Sequence, residues 1–112
     1  MAYEPTPKSI VADFSGDNDI LAEDTDSREY SIIAMSIIPT SDTAVSFYLH
    51  DGDGSDLLGD SSNKITIDKL GAEGQMGFIW NPNPDGWITG KALVLNLSAA
   101  VPVIVQVTHR AR

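Results

Sequence analysis

The sequence predicts an all-β protein: a single-domain antiparallel β-sandwich of jelly-roll type, with about eight or nine strands. One observation is strict alternation of apolar residues, clearest in the segment 101–109, where valines occupy positions 101, 103, 105 and 107. Another is that turn signals built from glycine, proline and aspartate recur at intervals typical of sandwiches. The third is that no stretch carries a convincing helical period. A chain of 112 residues is long enough for one core.

The longest predicted element is a hairpin from Glu29 to Asp51. Its first arm, Glu29 to Pro39, is apolar on both faces, as expected for a strand buried in a sandwich or between subunits. Turn residues follow at 39–42, and the second arm, Thr43 to Asp51, alternates like a half-buried strand. Two apolar faces exceed what one small sandwich needs, which predicts that copies of the chain associate.

The remaining elements follow in chain order. Residues 1–8 carry two prolines and no periodicity, which predicts an extended N-terminal arm before a sandwich domain at 9–112. Residues 16–18 are predicted to form a turn, and residues 51–63 an aspartate- and glycine-rich loop. Short strands are predicted at Ser9–Phe14, Asp19–Ala22, Lys64–Leu70, Gln75–Trp80 and Trp87–Thr89. The segments 91–97 and 101–109 are predicted to pair with each other across residues 98–100.

The formal net charge of −9 is concentrated in the first half of the chain. Residues 1–60 hold 13 of the 16 acidic residues and two of the seven basic ones, and such a surface argues against direct nucleic-acid binding. The chain has no cysteine, which suits synthesis in a reducing cytoplasm. No apolar run approaches the roughly 18 residues of a membrane span, and the N-terminus lacks a signal-peptide layout.

One loop imitates the start of a calcium-binding loop, with Asp51, Asp53 and Ser55 at alternate positions. The EF-hand pattern requires glycine at its sixth place and glutamate at its twelfth, where this chain has Asp56 and Ser62. A solvated loop is therefore the prediction, and a calcium site is the alternative.

No catalytic constellation is evident. His50 and His109 are far apart in the sequence, and a metal site would need both of them together with carboxylates. No serine lies in a G-x-S-x-G elbow, so nothing supports a nucleophilic triad. We therefore predict a protein without enzymatic activity, metal or cofactor.

Trp80 and Trp87 bracket a loop with the sequence NPNPDG. Aromatic residues beside such a loop can close the end of a core, anchor a protein interface or stack on sugar rings. The sequence leaves these three interpretations open.

Two segments carry a resemblance to a known class of protein. Ser41 to Gly52 consists of a Ser/Thr turn and a strand ending in YLHDG, and Ile88 to Leu95 reads ITGKALVL. With the long apolar strand before them and the terminal valine strand after them, they resemble the small β-sandwich structural proteins of tailed-phage virions, particularly head decoration or cement proteins. The resemblance implies a non-enzymatic and usually trimeric protein that sits on the capsid surface and clamps neighbouring major capsid subunits.

The resemblance thus implies a capsid decoration protein that stabilises the phage head. Its interface residues are expected in the arm, at Tyr3, Pro5 and Pro7, and at Trp80 and Trp87. The partners expected are the major capsid protein and two further copies of the chain, with neither nucleic acid nor membrane. The alternatives are a carbohydrate-binding module that uses the two tryptophans, or a component of the phage tail or fibre.

Overall fold

The alternating segments of the sequence form the strands of two antiparallel sheets. The computed structural model describes residues 6–22, 29–52, 55–69, 76–80, 87–88 and 92–111. Within these residues ten strands are present: β1 (Thr6–Ala12), β2 (Gly16–Leu21), β3 (Tyr30–Pro39), β4 (Val45–His50), β5 (Asp56–Leu58), β6 (Ile65–Ile67), β7 (Phe78–Trp80), β8 (Trp87–Ile88), β9 (Leu93–Leu97) and β10 (Val103–Ala111).

The two sheets have a regular order. The first, called the β1 sheet, runs β1-β10-β3-β7, with β8 also paired to β3. The second, called the β2 sheet, runs β2-β9-β4-β5, with β6 also paired to β4. Because β5 and β6 share the neighbour β4, and β7 and β8 share the neighbour β3, the ten strands occupy eight positions, four in each sheet. Successive positions alternate largely between the sheets, which is the jelly-roll arrangement. The predicted fold class is confirmed.

The core lies between the sheets and is built from their alternate residues. Val103, Val105 and Val107 of β10 are buried, as the valine pattern predicts. From the β2 sheet, Phe47 meets Phe78 of the β1 sheet edge to face, with ring centroids 6.0 Å apart. Such interlocking of the two inner faces is what gives a sandwich its stability.

The predicted hairpin from Glu29 to Asp51 is wrong. Strand β3 pairs with β10 and β7, whereas β4 pairs with β9, so the two arms lie in opposite sheets. The connection 40–44 crosses the roughly 10 Å between sheets, a distance that five residues span easily. Thr40 holds its start, donating from Oγ1 to the carbonyl of Pro102 at 2.6 Å.

The predicted pairing of the last two strands is wrong for the same reason. Strand β9 belongs to the β2 sheet and β10 to the β1 sheet, and residues 98–102 cross between them. Ser98 still continues the β9–β4 ladder, because its backbone N–H donates to the carbonyl of Ser46 at 2.8 Å. Alternation identified the strands, but it carries no information on which sheet a strand joins.

Two boundaries near the N-terminus also differ from the prediction. Residues 16–18, predicted as a turn, begin β2, and the chain turns at 13–15 instead. The last three residues of the predicted arm, residues 6–8, lie in β1 and pair with residues 107–109 of β10. Residues 1–5 lie outside the described residues. The described segments contain no helix with the length and hydropathy needed to cross a membrane.

Candidate interaction surface

The predicted interface residues are not brought onto one surface in the described part of the chain. Tyr3 and Pro5 lie outside it. Pro7 is exposed on β1, at one edge of the β1 sheet, and Trp80 ends β7, at the other edge. Trp80 is half-buried and packs against the core. Trp87 pairs with Ile32 through the backbone, and its side chain lies outside the described residues.

A different surface stands out on the side of the β1 sheet that faces away from the core. The strand register places its residues in three crosswise rows, and none of them is ionisable. We call this surface the neutral face, and it consists of Val11, Ile104 and Ile38, of Ser9, Gln106, Ser36 and Ile79, and of Pro7, Thr108 and Ala34.

The neutral face exposes apolar side chains to water. Ile79 is 74% exposed, Val11 58% and Ile38 38%. Each exposed apolar Å² costs about 25 cal/mol relative to burial, so a cluster of such residues favours contact with another surface. Scattered single hydrophobic residues would not indicate an interaction site, whereas three on one sheet face do.

The middle of the neutral face is hollow. Short side chains at Ser9, Ala34 and Ser36 leave a depression of about 470 Å³ between β1, β10 and β3. Ile79 is paired with Ser36 and therefore stands directly beside the depression. Lys8 also belongs to the lining of the depression. A protruding apolar side chain next to a hollow is a shape that another folded surface can match.

Charge is segregated between the two sheets. The strands of the β1 sheet contain two basic residues, Lys8 and Arg110, and no aspartate or glutamate. The strands of the β2 sheet contain Asp17, Asp19 and Asp56 and no lysine or arginine. The acidic residues of the described strands therefore all lie in the β2 sheet, and none lies on the neutral face.

The outer side of the β2 sheet carries a hydrogen-bonded cluster that joins three strands. Oδ1 of Asp17 lies 3.0 Å from Nε2 of His50 and accepts from Nδ2 of Asn96 at 2.9 Å. These two hydrogen bonds, that from His50 first, lower the pKa of the Asp17 carboxyl. The backbone N–H of Gly52 donates to Nδ1 of His50 at 3.1 Å, so the ring proton belongs on Nε2.

This cluster is a cross-link and not an acid–base pair poised for a substrate. Both ring nitrogens of His50 are occupied, one by Gly52 and the other by Asp17, so neither faces a reacting group. Sequence reasoning missed the cluster because its members are 33 and 79 positions apart in the chain. No local motif signals such a group, and only the strand register brings it together.

The histidines do not form a metal site with each other, because His50 is in the β2 sheet and His109 in the β1 sheet. The described residues contain no group of three or more histidine, aspartate or glutamate side chains arranged to hold a metal ion. In the calcium-like loop, Oδ1 of Asp51 accepts from the backbone N–H of Ser55 at 3.1 Å, as in an ordinary turn. Asp53 lies outside the described residues.

His109 occupies the end of β10 beside the first residues of β1. Its ring meets that of Tyr30 edge to face, with centroids 5.6 Å apart. Its Nδ1 is buried, and the described residues supply it with no hydrogen-bond partner. Desolvation, followed by the positive charge of Lys8, lowers the pKa of His109.

Comparison of the sequence with known proteins identifies no family for this chain. No protein-family model matches the chain, and no curated protein matches it.

Proposed function

We propose that this chain is a non-enzymatic structural protein of a tailed-phage virion, a head decoration protein that binds the major capsid protein in the assembled lattice. It acts as a homo-oligomer on the capsid surface, a trimer by the resemblance of residues 41–52 and 88–95 to that class. The neutral face is the observation that carries the proposal, because it provides area for association in a small rigid sandwich.

The physical basis of such a role is linkage between binding and assembly. A protein that binds only the assembled lattice stabilises it by mass action, by about 2.7 kcal/mol per site at a concentration one hundred times the dissociation constant. This effect requires a stable scaffold and contact area. It requires no nucleophile, no bound metal and no proton transfer.

The polar groups of the described residues favour this interpretation over the alternatives. The Asp17–His50 pair leaves no ring nitrogen for catalysis. A tryptophan that stacks on sugar exposes one side of its indole, and the half-buried Trp80 packs against the core, which reduces the indole surface that a sugar could contact. The candidate function with most support is therefore association with other proteins.

Heads of the encoding phage, assembled after deletion of this gene, provide the test. Purified protein is added to these heads and, as a comparison, to unexpanded heads and to isolated tails. We expect saturable co-sedimentation with the mature heads alone, together with a higher temperature of DNA release. No binding to heads would contradict the proposal, and binding to tails would assign the chain to the tail.

A shortened chain tests the arm within the same experiment. Deletion of residues 1–5 removes Tyr3 and Pro5 but leaves β1, which begins at Thr6, with its full pairing to β10. We expect the shortened protein to unfold at an unchanged urea concentration and to bind heads at least tenfold more weakly. Unchanged binding would exclude the arm from the interface.

A further inference from the structure

We infer that other copies of this chain cover the neutral face, each copy turning that face toward a shared rotation axis. This inference rests on the proposed function and identifies the molecule that covers the neutral face. It is separable from that function, because self-association is measured in the pure protein and head binding is not.

Charge decides which surfaces of two copies can meet. Each copy carries a formal net charge of −9, so two copies repel each other over most orientations. Contact through the β2 sheet would place Asp17, Asp19 and Asp56 of one copy against those of the other. The strands of the β1 sheet carry no acidic residue, so contact through the neutral face avoids this repulsion.

Apolar content points to the same contact. If the neutral face met an acidic surface of a neighbour, several carboxylates would lose water and only Lys8, at the rim of the depression, could pair with one of them, because the ten residues of the neutral face contain no cation. If it meets a second neutral face, Val11, Ile38 and Ile79 of both copies leave water together. A two-fold axis brings the whole neutral face of two copies together, and a three-fold axis brings one half of each face against the other half of its neighbour's face.

Shape provides a reciprocal fit. The depression lies over β1, β10 and β3, while Ile79 protrudes from β7 at the far edge of the same sheet. Rotation about an axis that runs beside the face, parallel to the strands, places the β7 edge of one copy against the hollow side of its neighbour. Ile79 of each copy then enters the depression of another.

The size of the face predicts a reversible contact. Three strand positions of seven residues and the three residues of β7, each residue covering about 4.8 Å by 3.3 Å, amount to roughly 380 Å² per copy. Two copies therefore bury roughly 760 Å² in projection, below the ~1,000 Å² at which specific interfaces begin. The oligomer should consequently dissociate on dilution.

Gln106 offers the sharpest test, because it is exposed at the centre of the neutral face and Gln→Glu changes almost only charge. Light-scattering mass is measured over a range of concentrations for the wild type, Gln106→Glu and Gln106→Lys. Ser61→Glu is the matched control, since it adds the same charge at an exposed loop position outside the β1 sheet.

The wild-type mass should rise with concentration from 12.0 kDa to that of two or three chains. Gln106→Glu and Gln106→Lys should each raise the dissociation constant at least tenfold. An equal mixture of the two variants should restore association. The control Ser61→Glu should leave the dissociation constant unchanged. A wild type that stays monomeric, or equal effects of Gln106→Glu and Ser61→Glu, would overturn the inference.

Head binding separates this inference from the proposed function. If the wild type is monomeric and Gln106→Glu abolishes its binding to heads, then the capsid protein covers the neutral face. That result would overturn the inference and retain the proposed function. If the wild type associates, Gln106→Glu weakens that association and the protein does not bind heads, then the inference is retained and the proposed function is contradicted.

Discussion

Single ionisable side chains link this fold to pH. The Asp17 carboxylate has a lowered pKa because it accepts hydrogen bonds from His50 and Asn96. Its stabilising contribution is therefore present above the ordinary carboxyl pKa and is lost as the pH falls through the lower, folded value. His109 has a lowered pKa for the opposite reason, because burial disfavours its charged form.

The lowered pKa of His109 should make the folded protein less stable in mild acid. As the pH falls below the ordinary histidine pKa of about 6.5, the unfolded chain binds a proton at His109 that the folded chain does not. We expect the urea midpoint to fall between about pH 7.5 and pH 5.5. His109→Phe should reduce that fall while keeping the ring contact with Tyr30, and equal falls in both proteins would contradict the assignment.

At the level of elements, the crossings between sheets depend on polar side chains that bond to backbone. Asn18 is 6% exposed, and its side chain holds the crossing from β1 to β2. Its Oδ1 accepts from the N–H of Phe14 at 3.0 Å, and its Nδ2 donates to the carbonyls of Phe14 and Gly16 at 2.9 and 3.1 Å. Gly16 has φ of +93°, which L side chains rarely adopt, so the tight turn requires glycine there.

Replacement of Asn18 tests this crossing. Asn18→Asp is nearly isosteric, but its carboxylate cannot donate to the carbonyls of Phe14 and Gly16 and is buried beside them. We expect the free energy of unfolding, measured by urea denaturation, to decrease by about 1–3 kcal/mol. Asn63→Asp, at an exposed loop position, should change it by less than about 0.5 kcal/mol. Equal effects of the two would disprove the role of Asn18.

At the level of the whole molecule, the association that we infer through the neutral face should depend on salt, because the acidic residues of the described strands lie in the β2 sheet. Two copies with a formal charge of −9 repel, and added salt screens that repulsion while leaving apolar contact between neutral faces intact. We expect the dissociation constant of the oligomer to decrease when ionic strength rises from about 0.02 M to about 0.2 M. An increase, measured by light scattering, would indicate an interface of ion pairs instead.

Prediction from sequence worked where a local pattern carried the information. The valines of β10 were assigned to one face by their period of two, and Val103, Val105 and Val107 are all buried. The sequence also placed apolar residues on both faces of β3, and Ile38 is exposed on the neutral face. The association that was expected from this pattern stays a prediction. The interface expected at Trp80 and Trp87 stays a prediction, although Trp80 packs against the core.

By itself the sequence determined the all-β class, most of the strand positions and the apolar faces, because each depends on residues close together in the chain. Only the tertiary structure decided which sheet each strand joins, so the hairpin of β3 and β4 became a crossing between sheets. The same choice assembled the Asp17–His50–Asn96 cluster, the charge-free rows of the neutral face and its depression. Each strand can pair with several partners that are distant in sequence, and the pairing that buries the apolar faces of the whole core best is the one that forms.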